Sequence, residues 1–121
     1  LNLKETEMNP TITWTIEWLQ CYPQAEGEVD VVFNCGWRCN GVQVDGDKTY
    51  TGTVYSTQAV TYVAGSPYTP YADLTQDQVL GWIWAAGVDQ ASAEAAVTQQ
   101  IADQQNPPVV QPPLPWATQQ P

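Results

Sequence analysis

Three cysteines, Cys21, Cys35 and Cys39, are the residues here whose type most readily carries chemistry. Cys35 and Cys39 stand four apart, around Gly36, Trp37 and Arg38. A structural zinc site takes four ligands, so three thiolates leave a position to a carboxylate or to water. One disulfide plus a free thiol is the other arrangement open to an odd set in an oxidising compartment. A redox centre is disfavoured, because the spacing is not C-x-x-C and no base stands nearby. The ordinary reading is a set of buried cysteines acting as small hydrophobes.

Thirteen carboxylates are the next candidates. A glycosidase needs two of them across a cleft, one with a raised pKa. Glu17 lies between Trp14 and Trp18, but strand alternation sends it to the face opposite both indoles. Glu26, Glu28 and Asp30 gather near one turn. Asp45-Gly46-Asp47 matches a fragment of a calcium loop without the twelve-residue pattern or its terminal glutamate. The chain has no histidine, which removes the commonest general base and metal ligand. No dinucleotide fingerprint, Walker loop, nucleophile elbow or H-E-x-x-H occurs. The expectation is therefore a non-enzyme with no cofactor and no metal.

The elements that would position any site begin at Thr11. In Thr11-Ile12-Thr13-Trp14-Thr15-Ile16-Glu17-Trp18 the apolar groups recur every second residue, which predicts a half-buried strand. Leu19 and Cys21 switch parity, which predicts a bulge or twist near Gln20. Pro23 to Gly27 reads as a turn. A second strand starts at Glu28, with Val29, Val31, Phe33, Cys35 and Trp37 on one face. Asn40-Gly41 and Asp45-Gly46 are turn dipeptides. A third strand covers Thr49 to Ser56, and Ala59 to Val63 is a candidate fourth.

Gly65 to Asp73 reads as a loop. Thr75 with Gln78 forms a capping box for a helix ending at Gly87. Val79, Ile83 and Ala86 form its apolar stripe, widened by Leu80 and Trp84. Asp89 caps a second helix running to about Gln104. Ala91, Ala95, Val97, Ile101 and Ala102 supply its small docking face. Asn106-Pro107-Pro108 stops it. The expected fold is α+β: a three- or four-stranded antiparallel β-meander against two C-terminal helices, followed by an extended proline-rich arm. The expected organisation is a flexible extension over residues 1–9, a compact domain over 10–106 and the arm over 107–121.

Two features carry binding. Thr11, Thr13 and Thr15, with Thr49, Thr51 and Thr53, can line one polar sheet face, open to solvent or to another subunit. The arm has no charge between Pro107 and Trp116 and reads as polyproline II. Its candidate anchors are Leu114, Pro115 and Trp116, with Pro112 and Pro113 lowering the ordering cost.

Charge narrows the partners. Three basic residues against thirteen acidic ones give a net charge of -10 over 121 residues. Such a chain has little with which to neutralise nucleic-acid phosphates or an anionic membrane surface. The sequence contains no apolar window long enough for a spanning helix. Its first residues read as lacking a signal peptide. Six tryptophans and six tyrosines let a small body fill its core with few residues.

Several short stretches resemble a family. They are Thr11-Ile12-Thr13-Trp14, Pro70-Tyr71-Ala72-Asp73-Leu74-Thr75, Val79 with Trp82, Gln105-Asn106-Pro107 and Leu114-Pro115-Trp116. Together they look like a small family of tailed-bacteriophage proteins, common in phages of marine bacteria and cyanobacteria. The usual form begins with a methionine corresponding to Met8, and the resemblance covers roughly residues 10–116. The extra N-terminal residues, the three cysteines and the Ala117 to Pro121 extension depart from it. The resemblance implies a virion structural accessory protein, made in the host cytoplasm. On this reading it is a capsid decoration or cement protein that binds the major capsid protein and can form a homo-oligomer. The alternatives are a tail, neck or fibre protein, or an acidic intracellular inhibitor of a host protein. The family carries no catalytic residues to transfer.

Overall fold

The computed structural model describes residues 9–116. The N-terminal extension up to Met8, and Ala117 to Pro121 at the end of the arm, lie outside the described residues. The fold is α+β. Strands β1 (Thr11–Ala25), β2 (Glu28–Asp45) and β3 (Lys48–Ala59) form an antiparallel meander in the order β1-β2-β3. A 3-10 turn over Tyr71–Asp73 leads into helix α1 (Gln76–Ala86), and helix α2 (Gln90–Gln105) follows. No helix among the described residues is long and apolar enough to cross a membrane.

The strands are longer than the local turn signals suggest. Pro23 lies inside β1, because an edge strand tolerates a residue that cannot donate to the ladder. The first turn is Glu26-Gly27, with φ of 53° and 82°. Positive φ at both central residues is the pattern that suits the twist of a two-residue hairpin. Asn40-Gly41 is not a turn; it sits within β2. At Asp45-Gly46 the turn is shifted by one residue to Gly46-Asp47, with Gly46 at φ 63° and Asp45 ending β2 opposite Lys48. The fourth strand does not form. After Ala59 the chain leaves the ladder, and Val60 N–H donates to the Phe33 carbonyl at 3.0 Å.

Two bulges in the β1–β2 ladder, at Ile16/Trp18 and Gln20/Cys21, change which residues face the core. Each inserts an unmatched residue and so reverses side-chain parity beyond it. Glu17 has no partner opposite it at the first bulge, and Phe33 none at the second. The core face of β2 therefore reads Val32, Cys35, Trp37 and Cys39. Val29, expected among the core residues, is 57% exposed, and Phe33 stacks outside on Tyr22 at 4.1 Å.

Both helices cover that core face. Val79, Leu80 and Ile83 of α1 are buried, as are Val97 and Ile101 of α2. Trp14 from β1 packs on Trp37 at 5.3 Å and edge-on to Trp84 at 5.4 Å. Its indole N–H donates to Glu94 Oε2 at 2.8 Å, tying β1 to α2. The caps are as expected: Gln78 N–H donates to Thr75 Oγ1, and Ser92 N–H to Asp89 Oδ1. The capping box is only half made, because the Gln78 side chain turns to Thr69 Oγ1.

The docking face of α2 is not the alanine stripe. Ala91, Ala95 and Ala102 are exposed, while Ala93, Val97 and Ile101 face the sheet. The close approach comes from the sheet side. Gly41 and Gly52 pair directly across β2 and β3. A Cβ on Gly52 would stand 2.8 Å from the Val97 carbonyl oxygen, and one on Gly41 would overlap the Val97 side chain. The paired glycines form a shallow trough in which α2 rests.

Glutamines finish the sheet edges. Thr53 N–H donates to Gln100 Oε1 at 2.8 Å, and Gln100 Nε2 donates to the Thr53 carbonyl at 3.0 Å. One turn later, Gln104 Nε2 donates to the Thr51 carbonyl at 2.6 Å. On the opposite edge Ile16 N–H donates to Gln76 Oε1 at 3.0 Å. These contacts occupy backbone groups that would otherwise recruit another strand.

Candidate interaction face

Helices cover one side of the sheet, and the other side stays open. Cross-strand pairing fixes which residues share that open side, since directly opposed residues point the same way. Thr11, Val42 and Thr51 form one row, and Thr13, Asn40 and Thr53 the next. Thr15, Arg38 and Tyr55 form the third, and Trp18, Gly36 and Thr57 the fourth. The three β1 threonines expected on a polar face are therefore there, with Thr51 and Thr53 on the same side. Thr49 pairs with Val44 at the far end.

Arg38 organises the centre. Its Nε donates to Glu17 Oε2 at 2.7 Å, and a terminal guanidinium nitrogen donates to Thr53 Oγ1 at 2.9 Å. Thr53 Oγ1 in turn donates to Asn40 Oδ1 at 2.8 Å. The guanidinium carbon lies 4.3 Å from the Tyr55 ring centre, a cation–π contact. The chain linking Glu17, Arg38, Thr53 and Asn40 crosses all three strands. It holds the face in one arrangement before any partner arrives.

The first bulge places two residues that alternation alone misplaces. Glu17 was expected opposite both Trp14 and Trp18. Trp14 is in the core, but Trp18 lies on the open side over Gly36, where a Cβ would overlap its indole. Trp18 is 42% exposed and Tyr55 65%. Tyr22, stacked on Phe33, is half exposed further along the same face. The parity switch at Leu19 and Cys21 was the visible signal for this rearrangement, although the first bulge falls earlier, at Glu17. Arg38 and Tyr55 carried no such signal, because only the register brings them together.

The face is also electrically distinct. Across residues 11–22, 33–44 and 49–59 the only charged side chains are Glu17 and Arg38, and they pair. A chain of net charge -10 thus keeps a neutral central patch.

The arm is the second candidate. Pro112, Pro113, Leu114, Pro115 and Trp116 are all exposed, with Leu114 at 54% and Trp116 at 69%. A groove that sequence reasoning did not anticipate lies under the loop after β3. It measures about 470 Å³ and is walled by Val31, Tyr62, Val63, Tyr68 and Trp82.

The cysteines are free. Cys35 and Cys39 share one face of β2, about 13 Å apart at 3.3 Å per residue, too far for a disulfide. Burial pushes both thiols up to about 11, helped by Cys21 beside Cys35 and Glu94 beside Cys39. Among the described residues no cluster of three or more Cys, Asp or Glu side chains is placed to hold a metal ion.

Residues 9–116 match a family described as a domain of unknown function (DUF7936). No curated protein and no solved structure matches the chain. The matched family carries no virion, bacteriophage or capsid description, and nothing else supplies one. This corrects the virion, bacteriophage and capsid terms expected from the sequence, which rested on short motifs and on the outline of a small body with an arm. The matched segment spans most of the sequence, and the chain belongs to the DUF7936 family.

Proposed function

We propose that this protein is a non-catalytic attachment module that binds a protein partner through the open face of its sheet. The observation that carries this reading is the face itself. It is neutral within a chain of net charge -10, and it presents Trp18, Tyr55 and Arg38 among rows of threonine. Interface centres are depleted in uncompensated charge and enriched in aromatic residues and arginine, and tryptophan, tyrosine and arginine dominate binding hot spots. The glutamines that close the strand edges direct association to the face rather than to added strands. The exposed arm serves as a second tether, and two linked contacts hold more tightly than either alone.

The test is a paired substitution. Thr13→Glu with Tyr55→Glu puts two carboxylates on the open face at exposed positions. Ala91→Glu with Ala95→Glu does the same on the outer side of α2. Chemical cross-linking in cells that naturally make the protein is followed by mass spectrometry. The expected result is a discrete partner captured by the native chain and by the α2 variant but lost with the face variant, all three melting alike. Equal capture by both variants would refute the assignment of the face.

A further inference from the structure

The groove beneath the loop after β3 is aromatic and fixed. Tyr62 and Tyr68 meet edge-on, with ring centres 5.7 Å apart. Each hydroxyl is tied down: Tyr62 donates to the Ser66 carbonyl at 2.8 Å, and Tyr68 donates to the Val29 carbonyl. The two rings are therefore held in place, beside Trp82. Grooves walled by tyrosine and tryptophan are the usual receptors for proline-rich segments, whose extended conformation is already formed before binding.

The same chain carries such a segment. Residues 107–116 contain five prolines and no charge, and they end in Leu114-Pro115-Trp116. Large apolar groups along this segment are exposed, Val109 at 83% and Trp116 at 69%, so the arm does not fill its own molecule's groove. Gln104 binds the Thr51 carbonyl, and Thr51 pairs with Val42, so the arm leaves near the β2–β3 turn. The groove lies beside Val31 and Val32. Val42 and Val32 are about 33 Å apart along β2 at 3.3 Å per residue. Counted from the end of α2 at Gln105, Trp116 lies eleven residues on and can stand about 34 Å away as polyproline II, so the exposure of Val109 and Trp116, not reach, shows that the arm leaves its own groove empty. An extended arm of this length also carries Leu114-Pro115-Trp116 clear of its own body to the surface of a second copy. Charge is compatible with the arm as the inserted part, since an uncharged segment adds no repulsion when two chains of net charge -10 meet.

We propose that the arm of one copy docks in the Tyr62–Tyr68–Trp82 groove of another. The contact joins different surfaces, so it is head-to-tail and propagates into rings or open chains. The proposal deepens the tether role given to the arm above and rests on it; binding through the open sheet face is independent of it.

The experiment is analytical ultracentrifugation of the full chain over a wide concentration range, for the native protein, Trp116→Ala and Val63→Glu. Val63 is a groove wall that is 63% exposed, so its replacement blocks the groove without touching the core. The native chain is expected to self-associate, and each variant to do so at least tenfold more weakly. A capped peptide of residues 107–116, added in excess to the full chain, is expected to dissolve the oligomers and shift the NMR signals of Val31, Tyr62 and Trp82. A native chain that stays monomeric and whose groove signals ignore the peptide overturns the proposal, as does self-association that both variants retain. Loss of partner capture by the open-face variant, with no self-association, would leave the attachment reading standing and remove only this one.

Discussion

At the scale of single residues, burial rather than reactivity defines the cysteines. Cys35 and Cys39 are fully buried, and both thiols are held near pKa 11 against an ordinary 9.0. The folded state therefore keeps protons that the unfolded chain loses above pH 9. By linkage this stability is complete below pH 9 and is lost as pH rises toward 11. Urea midpoints are expected to fall between pH 8 and pH 10.5, and to fall less in a Cys35→Val, Cys39→Val variant. At neutral pH neither thiol is expected to react with an alkylating agent until the chain is unfolded, which intact-mass measurement reads directly. The type of these residues invited metal or redox chemistry. Their position on one strand face, with side chains on the core side, decides against a bond between Cys35 and Cys39.

At the scale of elements, the seating of α2 depends on what the sheet lacks. Gly52→Ala would force a methyl group against the Val97 carbonyl, which is backbone and cannot rotate away. Overpacking of this kind costs about 1–3 kcal/mol, and a drop of several degrees in melting temperature is expected. Thr75→Ala removes the cap of α1 and costs about 1 kcal/mol, measurable as a smaller shift in the same melt. Replacing Gln100 and Gln104 by Leu frees the Thr51 and Thr53 backbone groups. Light scattering is expected to show faster aggregation than for the native chain.

Alternation, caps and turn residues made the meander and both helices legible, because each is a local signal. The bulges were legible only as a parity switch, since an extra residue in a strand leaves no signature of its own. The α2 face was misread because alanine looks like a docking residue. What permits close contact is a glycine pair whose two members are eleven residues apart in sequence and meet only through register.

At the scale of the whole molecule, the distribution of charge sets the functional reading. Acidic residues occupy the hairpin ends and the helices, for example Glu26, Asp47, Asp77 and Asp103. The open sheet face carries one compensated pair. The threonine rows were readable in advance from strand alternation. The Arg38 network was not, because it requires β1, β2 and β3 in a single register.

The central claim is that the open face is where this protein meets its partner. The most direct measurement is site-specific photo-cross-linking in cells that naturally make the protein, with the reactive side chain placed at Tyr55 or, separately, at Ala91. The account predicts one discrete protein adduct from position 55 and none from position 91. No adduct at position 55, or the same adducts from both positions, would contradict it.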